Sequence, residues 1–360
     1  MSTLRGVVPA IIDTHIHQWD PFTTPRTASP LAPIFTRAPR LLTALMPVLT
    51  SRGDREMIRT PENVARPYLP PHYSADVAGV PDAVGVAVDS VVHVQADWKS
   101  KEPLGPADET AWLETLPWGH DGNPSLAAII GHADPVEPHF AELLDAHASA
   151  SSRFRGVRTV AAWHPDKGVK SYVADQGTLR SPTFLKGFAA LADRGLTFDA
   201  YIYSNQLGDA SVLAREYPET TIVLDHFAPL VGWLGPMGKS TGRSDQERAE
   251  LFARWSDDIS ELAVNPNVVA KLSGLAFPML GMPTARWARD DVSAAVAPLV
   301  EHTTKVFGSD RLMWGSNFPM DRAIADYPGL VGALVDILAP SGEELLRKVF
   351  RDNAQKVYKL

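Results

Sequence analysis

The sequence predicts a single (β/α)8 barrel, and three observations support that fold class. Apolar, strand-like segments alternate with helical segments along the 360 residues, which is typical of a parallel sheet covered by helices. Polar residues recur where the strands end, and closed barrels carry their chemistry at those ends. A doubly wound open sheet is the alternative, but no Gly-x-Gly-x-x-Gly turn follows the first strand.

The first predicted strand begins at Ala10 and ends in two histidines, His15 and His17. Strand side chains alternate between faces, so both imidazoles should point the same way, roughly 7 Å apart. Two imidazoles at a strand end can bind one divalent cation or one anionic, carbonyl-bearing substrate. They could also be polar residues that merely close a strand. The apolar strand residues before them and the Trp-Asp-Pro sequence that ends the strand favour an active site.

Residues 22–80 interrupt this pattern with a stretch rich in proline and arginine, in which only residues 41–49 look helical, as far as Pro47. A long, mostly irregular stretch inside a compact domain is usually a functional lid or a disordered segment. This one has enough apolar side chains to pack. We therefore predict one barrel domain over residues 1–360, in which 22–80 form a lid or an arm for a homo-oligomer.

From Val86 onward the alternation is regular. The predicted strands are 91–96, 127–130, 154–160, 196–203, 221–225, 268–272 and 312–314. The predicted helices are 108–116, 136–150, 182–194, 211–217, 247–263, 288–307 and 342–358. With the first strand this gives eight strands, nearly all followed by helices, and eight such units favour a closed barrel.

Composition narrows the class of function. The hydrophobic content of 45% and charged content of 21% are those of a globular protein with a substantial core. A net charge of -8 offers no basic surface to nucleic acid or anionic membranes. No apolar run approaches about 18 residues, no signal-peptide pattern begins the chain, and the absence of cysteine excludes disulfides and thiolate chemistry. These features fit a cytoplasmic enzyme acting on a small molecule.

The polar residues at the predicted strand ends are candidates for the site, because buried polar groups are costly unless they are paired or used. Those suited to binding a substrate are Gln95, Trp98, Arg155, Arg158, Tyr201 and Lys271. Gln95 and Tyr201 offer hydrogen bonds, and Trp98 offers stacking against a ring. The arginines offer a planar fork to a carboxylate or a developing oxyanion, although we expect one of them to be structural. Lys271 could likewise be buried against a carboxylate.

Seven motifs stand out along the chain: Asp13-Thr-His-Ile-His-Gln-Trp-Asp-Pro, Val92-His-Val-Gln-Ala, Phe154-Arg-Gly-Val-Arg, Val223-Leu-Asp-His-Phe-Ala-Pro, Lys271-Leu-Ser-Gly-Leu, Met313-Trp-Gly-Ser-Asn-Phe-Pro and Asn353-Ala-Gln-Lys-Val-Tyr. Together they resemble the amidohydrolase-related family of the amidohydrolase superfamily, and they look most like its sugar-lactonase and pyrone-dicarboxylate-lactonase branch. The motifs occur in family order over nearly the whole chain outside residues 22–80. The resemblance implies a distorted (β/α)8 barrel, hydrolysis at a carbonyl carbon, and a site drawn from strands 1, 5, 6 and 8.

The resemblance also implies that His15, His17 and His226 are the family's first-strand pair and sixth-strand histidine, which would be the ligands if a metal is bound. Metal-dependent members carry a histidine at the end of strand 5, where this chain reads Asp199-Ala-Tyr-Ile-Tyr. They carry an aspartate on strand 8, as metal ligand and general base, where this chain has Asn317. An amide takes up no proton and is a poorer ligand for a hard cation. We therefore expect either no required cofactor or one weakly bound divalent metal, zinc or manganese.

Since Asn317 cannot be the base, Asp321 is the nearest replacement, with His226 and Asp97 as further candidates, although Asp321 could instead cap the next helix. We expect a hydrolase of carboxylic ester bonds, which opens a lactone or related cyclic ester of a small carboxylated or hydroxylated compound by water attack on the ring carbonyl. Two alternatives stay open. One is a metal-dependent non-oxidative decarboxylase of the same superfamily, and the other is a catalytically decayed barrel that binds a ligand.

Overall fold

The computed structural model describes residues 3–59, 62–283 and 285–360. Eight parallel strands form one sheet in sequence order: β1 Ile11–Ile16, β2 Val88–Val94, β3 Ser125–His132, β4 Phe154–Val160, β5 Thr197–Tyr201, β6 Ile222–Leu224, β7 Val268–Leu272 and β8 Leu312–Trp314. The chain after β8 returns to β1, where Asn317 N donates to His15 O at 2.8 Å and His17 N donates to Phe318 O at 2.9 Å. The sheet is thereby a nearly closed barrel, and the predicted fold class is confirmed.

The helices are α1 Ala32–Arg37, α2 Pro39–Leu49, α3 Arg52–Ile58, α4 Glu62–Ala65, α5 Pro70–Val77, α6 Val80–Val84, α7 Ala107–Leu113, α8 Phe140–Ala150, α9 Pro182–Ala192, α10 Leu207–Glu216, α11 Asp245–Ala263, α12 Arg289–Phe307, α13 Tyr327–Leu338, α14 Glu343–Arg347 and α15 Asn353–Tyr358. A π-helical turn, Lys348–Asp352, joins the last two. Within the three described ranges, none of these helices has the length and apolarity needed to cross a bilayer.

The strand that carries the two histidines is irregular. Ile12 packs in a small inner cluster of the barrel, whereas Ile11 and Ile16 pack in the larger cluster that includes the surrounding helices. The pairing of β1 with β2 shifts register between Asp13 and Ile16. Such a shift changes which residues face inward. It allows His15 and His17 to share the inward side although they lie an odd number of residues from Ile12.

The expectation that residues 22–80 are mostly irregular is wrong, because α1 to α5 occupy much of this insertion. Proline begins several of these short helices, as Pro39 and Pro70 do, since the first turn of a helix needs no N–H from it. α2 also continues through Pro47 to Leu49. Pro47 has no N–H and so removes one helical hydrogen bond, and only Val48 and Leu49 follow it in the helix.

The insertion contacts loops that follow three different strands. Lys99 N, after β2, donates to Pro25 O at 2.8 Å. Asp54 of α3 pairs with Lys170, after β4, at 2.7 Å, and Gly238 N, after β6, donates to a carboxylate oxygen of Glu56 at 2.8 Å. The insertion therefore lies at the C-terminal mouth of the barrel. Its interpretation as a lid or an oligomer arm stays a prediction.

The sequence pattern did not predict α13, which is buried against α12 and α6. Asp326 caps this helix, since its side chain accepts from Gly329 N at 2.8 Å. Its apolar residues lie on nearly every side, so the sequence lacks the polar face that marks an amphipathic helix. The helical tail predicted over residues 342–358 is interrupted by the π-helical turn.

Candidate active site

A buried ion-pair network lies near the C-terminal ends of β5, β6 and β7. Lys271 Nζ donates to Asp199 Oδ2 at 2.5 Å and lies 3.4 Å from Asp225 Oδ1. All three side chains are fully excluded from solvent. Removing an ion from water costs several kcal/mol, so charges at such depth persist only when they are paired. One ammonium against two carboxylates still leaves one negative charge in excess.

Arg158 of β4 supplies the balancing charge. Its Nη1 lies 3.6 Å from Asp225 Oδ2, and its Nη2 donates to the backbone carbonyl of Gln95 at 2.8 Å. The guanidinium carbon lies 5.8 Å from the centre of the Tyr201 ring. Two carboxylates and two cations make the network formally neutral, which offsets part of the cost of burying the four ions.

The two carboxylates titrate differently because they share one ammonium. Burial raises the pKa of Asp225, but Lys271 and His15 outweigh burial and hold that pKa well below its usual range. For Asp199, burial and the neighbouring Asp225 charge raise the pKa to about 6, against the pull of Lys271. Both groups are therefore ionised at neutral pH.

Two neutral histidines, His15 of β1 and His17 just after this strand, lie against the network. Their ring centroids are 5.0 Å apart, so the prediction that they point the same way is confirmed. His15 Nδ1 lies 3.3 Å from Asp225 Oδ1, and His15 Nε2 lies 3.3 Å from Arg158 Nη1. His17 Nδ1 donates to Val94 O at 2.7 Å, which leaves its Nε2 as an acceptor. Burial lowers the pKa of both imidazoles well below 6.5.

His226 follows β6 in a left-handed backbone conformation, with a φ of 55°. Its Nδ1 makes a 2.8 Å hydrogen bond with Ser273 Oγ, and its ring centroid lies 4.5 Å from that of His15. Gly274 allows His226 to lie against the chain that follows β7, because a Cβ at position 274 would lie only 2.9 Å from His226 Cβ. Burial lowers the pKa of His226 to about 3. Strained backbone of this kind is often found at functional sites.

The end of β8 carries Asn317 and Asp321 as a bonded pair. Asn317 Nδ2 donates to Asp321 Oδ1 at 2.7 Å, and Ala276 N donates to Asp321 Oδ2 at 2.9 Å. Burial raises the pKa of Asp321 to about 7. The aspartate is fully buried, and it caps no helix, since Asp326 caps α13. The bond orients the amide of Asn317, so that its Oδ1 faces away from Asp321.

The predicted site residues divide into three groups. The network brings together His15, His17, Arg158, Tyr201, His226 and Lys271. Asn317 and Asp321 join it through the backbone bond from Asn317 to His15, and Gln95 joins it through its carbonyl, while its side chain accepts from Asp97 N at 3.1 Å. Trp98 lies farther along the same loop, with its ring centroid 6.1 Å from that of Trp112.

Arg155 lies apart from this cluster, and its placement at the end of strand 4 is wrong. It is the second residue of β4, so it belongs to the opposite rim of the barrel. Its Nε donates to Tyr358 O at 2.8 Å, and its Nη1 donates to Ser152 O at 2.8 Å. The bond to Tyr358 O ties β4 to the end of α15, which is the structural role expected of one of the two arginines.

Sequence reasoning did not single out Asp199 or Asp225 as functional. Each stands in or next to a short apolar strand, in Phe198-Asp199-Ala200 and Leu224-Asp225. A carboxylate in such a setting needs a buried cation, and Lys271 is a cation in an equally apolar strand. That reciprocal signal indicates a buried ion pair, but it does not say which carboxylates Lys271 meets.

The group that could hold a metal consists of His15, Asp225 and His226, whose ligand atoms lie within 4.8 Å of one another. His17 is the other ligand that the sequence predicts, but one of its ring nitrogens is already bonded to Val94 O. Lys271 Nζ lies 3.4 Å from both His15 Nδ1 and Asp225 Oδ1. A divalent ion would need these ligand atoms at about 2.0–2.2 Å. At that position it would lie close to the positive charge of Lys271. These residues, as arranged, do not fit a tightly held divalent metal.

The amidohydrolase family model matches residues 12–360. The chain belongs to the amidohydrolase family. A Sinorhizobium fredii protein of uncharacterised function is 31% identical over 351 residues, which are 98% of this chain and 99% of the relative. An L-fucono-1,5-lactonase of Burkholderia ambifaria is 29% identical to this amidohydrolase over 65% of the chain and 71% of the lactonase. The enzyme of the same name from Burkholderia multivorans is 27% identical over 71% and 78%.

Solved structures share the fold of this amidohydrolase at low sequence identity. A Burkholderia multivorans amidohydrolase with bound zinc has a TM-score of 0.66 and 22% identity, covering 98% of this chain and 99% of its own. A putative 2-pyrone-4,6-dicarboxylic acid hydrolase of Pseudomonas putida has a TM-score of 0.56 and 14% identity, covering 98% of both chains. These likenesses confirm the barrel architecture.

We predict that Lys271→Met lowers the free energy of unfolding at neutral pH by about 3–5 kcal/mol, because Asp199 and Asp225 would then share a buried site without their ammonium. Urea denaturation measures the loss. The double variant Lys271→Met with Asp199→Asn removes one charge of each sign and should recover part of it. A double variant no more stable than the single one would show that charge imbalance is not the cause.

Proposed function

We propose that the protein is a lactonase that needs no metal and opens the cyclic ester of a small, uncharged, hydroxylated compound. The observation that carries this proposal is the neutral network of Lys271, Arg158 and two carboxylates, which lies against uncharged imidazoles at the barrel mouth. The similarity to two proteins named L-fucono-1,5-lactonase supports a cyclic ester as the substrate class.

The charge balance favours an uncharged substrate. Both Nη atoms of Arg158 are already engaged, one with Asp225 and His15 and the other with the carbonyl of Gln95. Lys271 is enclosed between its two carboxylates. Within this network a carboxylated substrate would find no cation with two free donors for a bidentate pair, whereas ring hydroxyls need only single hydrogen-bonding groups. The hydroxylated branch of the expectation is therefore the better supported one.

In the proposed reaction, His17 Nε2 takes a proton from the attacking water, while the other hydrogen of the water is accepted by Asn317 Oδ1. Asn317 N and His15 O are bonded at 2.8 Å, which holds the end of β8 beside the β1 histidines. Oxygen of the water attacks the ring carbonyl, and the resulting oxyanion is stabilised by Arg158 Nε, which is buried and without a hydrogen-bond partner among the described residues. The ring C–O bond then breaks, and the alkoxide takes the proton back from His17.

We expect the purified protein to hydrolyse uncharged hydroxylated lactones, and to do so at an unchanged rate after treatment with a chelator. Proton release into a weakly buffered solution measures turnover, with carboxylate-bearing lactones of the same ring size as the comparison. Loss of activity on chelation, with rescue by zinc or manganese, would contradict the metal-independent assignment. Carbon dioxide release from an aromatic carboxylate would support the decarboxylase, and binding without turnover would support the decayed barrel.

We predict that His17→Gln lowers kcat by about 10²–10⁴-fold, the usual contribution of a positioned acid–base group, without loss of the fold. The amide of glutamine can accept a hydrogen bond but takes up no proton. His147→Gln is the matched control, because His147 is also buried but bonds to Thr110 and to His132 O. The control should lose stability and keep kcat. Equal kcat for His17→Gln and the parent would remove His17 from the mechanism.

We predict that activity falls as the pH drops through about 7, where Asp321 takes up a proton. Protonation of Asp321 weakens its acceptance of the bond from Asn317 Nδ2 and lets the amide turn over, so that Asn317 Oδ1 accepts from Asp321 instead of from the water. Asp321→Asn should therefore remove this limb of the pH–rate profile and cost about tenfold or less in kcat. A loss of about 10²–10⁴-fold would instead make Asp321 the base itself.

The same residue makes the stability of the fold depend on pH. Folding raises the pKa of Asp321 from 3.8 to about 7. Its contribution to the free energy of unfolding is therefore full below pH 3.8 and is lost as the pH rises through about 7.

The reverse exchange, Asn317→Asp, places a second carboxylate against Asp321. The two would share a proton, so that the apparent pKa of the pair rises and the activity profile moves to higher pH. The new carboxylate should also increase the affinity for divalent metal beside His15 and His226. A profile identical to the parent's would show that the pair is not coupled to turnover.

A further inference from the structure

Asp13 is a buried carboxylate that is held by neutral hydrogen-bond donors rather than by a cation. It stands in β1 and is fully excluded from solvent. Burial raises its pKa, and the groups that oppose this shift are backbone N–H groups and hydroxyls. A buried carboxylate is costly unless its oxygens accept hydrogen bonds. The bonds that Asp13 accepts therefore show which parts of the fold it holds together.

One oxygen of Asp13 joins the first strand to the chain that follows the last strand. Its Oδ1 accepts from His15 N at 3.1 Å and from Ser316 N at 2.8 Å. The two segments are closely packed here, because a Cβ at Gly315 would lie 2.7 Å from His15 Cβ. Ser316 directly precedes Asn317, so the carboxylate of Asp13 fixes the backbone on one side of that residue.

The backbone of Asn317 needs such support, since it lies in the left-handed region with a φ of 56°. A residue other than glycine keeps that conformation where its surroundings determine it. Asn317 N donates to His15 O at 2.8 Å, and the side chain of Asn317 donates to Asp321. Together with the bond from Ser316 N to Asp13, these contacts orient the amide of Asn317.

The other oxygen of Asp13 is held by two tyrosines that come from helices outside the barrel. Its Oδ2 accepts from the hydroxyl of Tyr73, in α5 of the insertion, and from the hydroxyl of Tyr327, in α13, both at 2.9 Å. The two hydroxyl oxygens lie 3.2 Å apart, and both side chains are buried. The insertion therefore contacts the carboxylate that joins β1 to the chain after β8.

We propose that Tyr73 is a positioning residue for Asn317 and that it acts through Asp13. This inference rests on the proposed function, in which Asn317 Oδ1 accepts a hydrogen of the attacking water. Loss of the Tyr73 hydroxyl would leave Oδ2 of Asp13 with one donor, so that the carboxylate can turn and its bond to Ser316 N weakens. A displacement of about 1 Å at a catalytic group can cost about 10²-fold in rate. A fraction of that displacement at Asn317 should cost about tenfold.

The test is the steady-state kinetics of Tyr73→Phe on an uncharged hydroxylated lactone. We expect kcat to fall about tenfold while KM stays within about twofold, because the variant changes the position of the water and not the binding of the substrate. Tyr68→Phe is the matched control. Tyr68 is also a buried tyrosine of the insertion, but its hydroxyl donates to Asp76 at 2.8 Å. The control should keep kcat.

A double-mutant cycle separates positioning from a general loss of stability. If Tyr73 acts through Asn317, adding Tyr73→Phe to Asn317→Ala should lower kcat by less than about twofold, since the residue that is positioned is already absent. A purely structural role would give the same loss in both backgrounds. Equal losses would therefore overturn the proposal, as would a kcat for Tyr73→Phe equal to that of the parent.

Two further measurements keep the result decisive. If Tyr73→Phe does not fold, Tyr327→Phe removes the other donor to the same oxygen and must show the same cycle. If the parent hydrolyses no lactone, the proposed function fails, and the positioning is read from the nuclear magnetic resonance of the Asn317 side-chain amide, assigned with Asn317→Ala. That resonance should shift in Tyr73→Phe and stay unshifted in Tyr68→Phe. An unshifted resonance in both variants would overturn the inference by itself.

Discussion

The pairing of Lys271 with Asp199 and Asp225 is the interaction on which the rest of the site depends. Three strands must place one ammonium and two carboxylates within hydrogen-bonding or ion-pair distance, away from water. Desolvation of each ion costs several kcal/mol, so every additional group around the network is constrained by charge. Arg158 balances it, and the histidines beside it are held neutral. The same arrangement places the Lys271 ammonium 3.4 Å from His15 Nδ1 and from Asp225 Oδ1, two of the atoms that could hold a metal.

The charged network and the apolar inner cluster occupy different levels along the barrel axis. The inner cluster of the barrel, which includes Ile12, Val92 and Met313, is apolar and receives Tyr358 from α15. The hydroxyl of Tyr358 lies 3.3 Å from Asp199 Oδ2, so the charged network rests directly on the apolar cluster. Stability comes chiefly from the apolar part, because burial of apolar surface is the dominant favourable term. The polar residues at the mouth can therefore serve function rather than stability.

The insertion packs on the mouth of the barrel although its composition suggested an irregular segment. Its helix α3 contacts loops after β4 and β6 through Asp54 and Glu56, while α2 is buried only at Leu42 and Met46. The short helices are compatible with a proline-rich sequence because proline is tolerated in a first turn. Composition alone therefore gave a misleading impression of irregular structure in this part of the chain.

The sequence by itself determined the barrel, because alternating strand and helix patterns permit few topologies and strand periodicity places His15 and His17 on one side. It also located most of the strand-end residues that meet in the site. Only the tertiary structure decided that Asp199 and Asp225 enclose Lys271, that Arg155 lies at the opposite rim, and that Asp321 is buried behind Asn317. The physical reason is that ion pairs and amide orientation depend on distances of a few ångströms between strands, which no local pattern encodes.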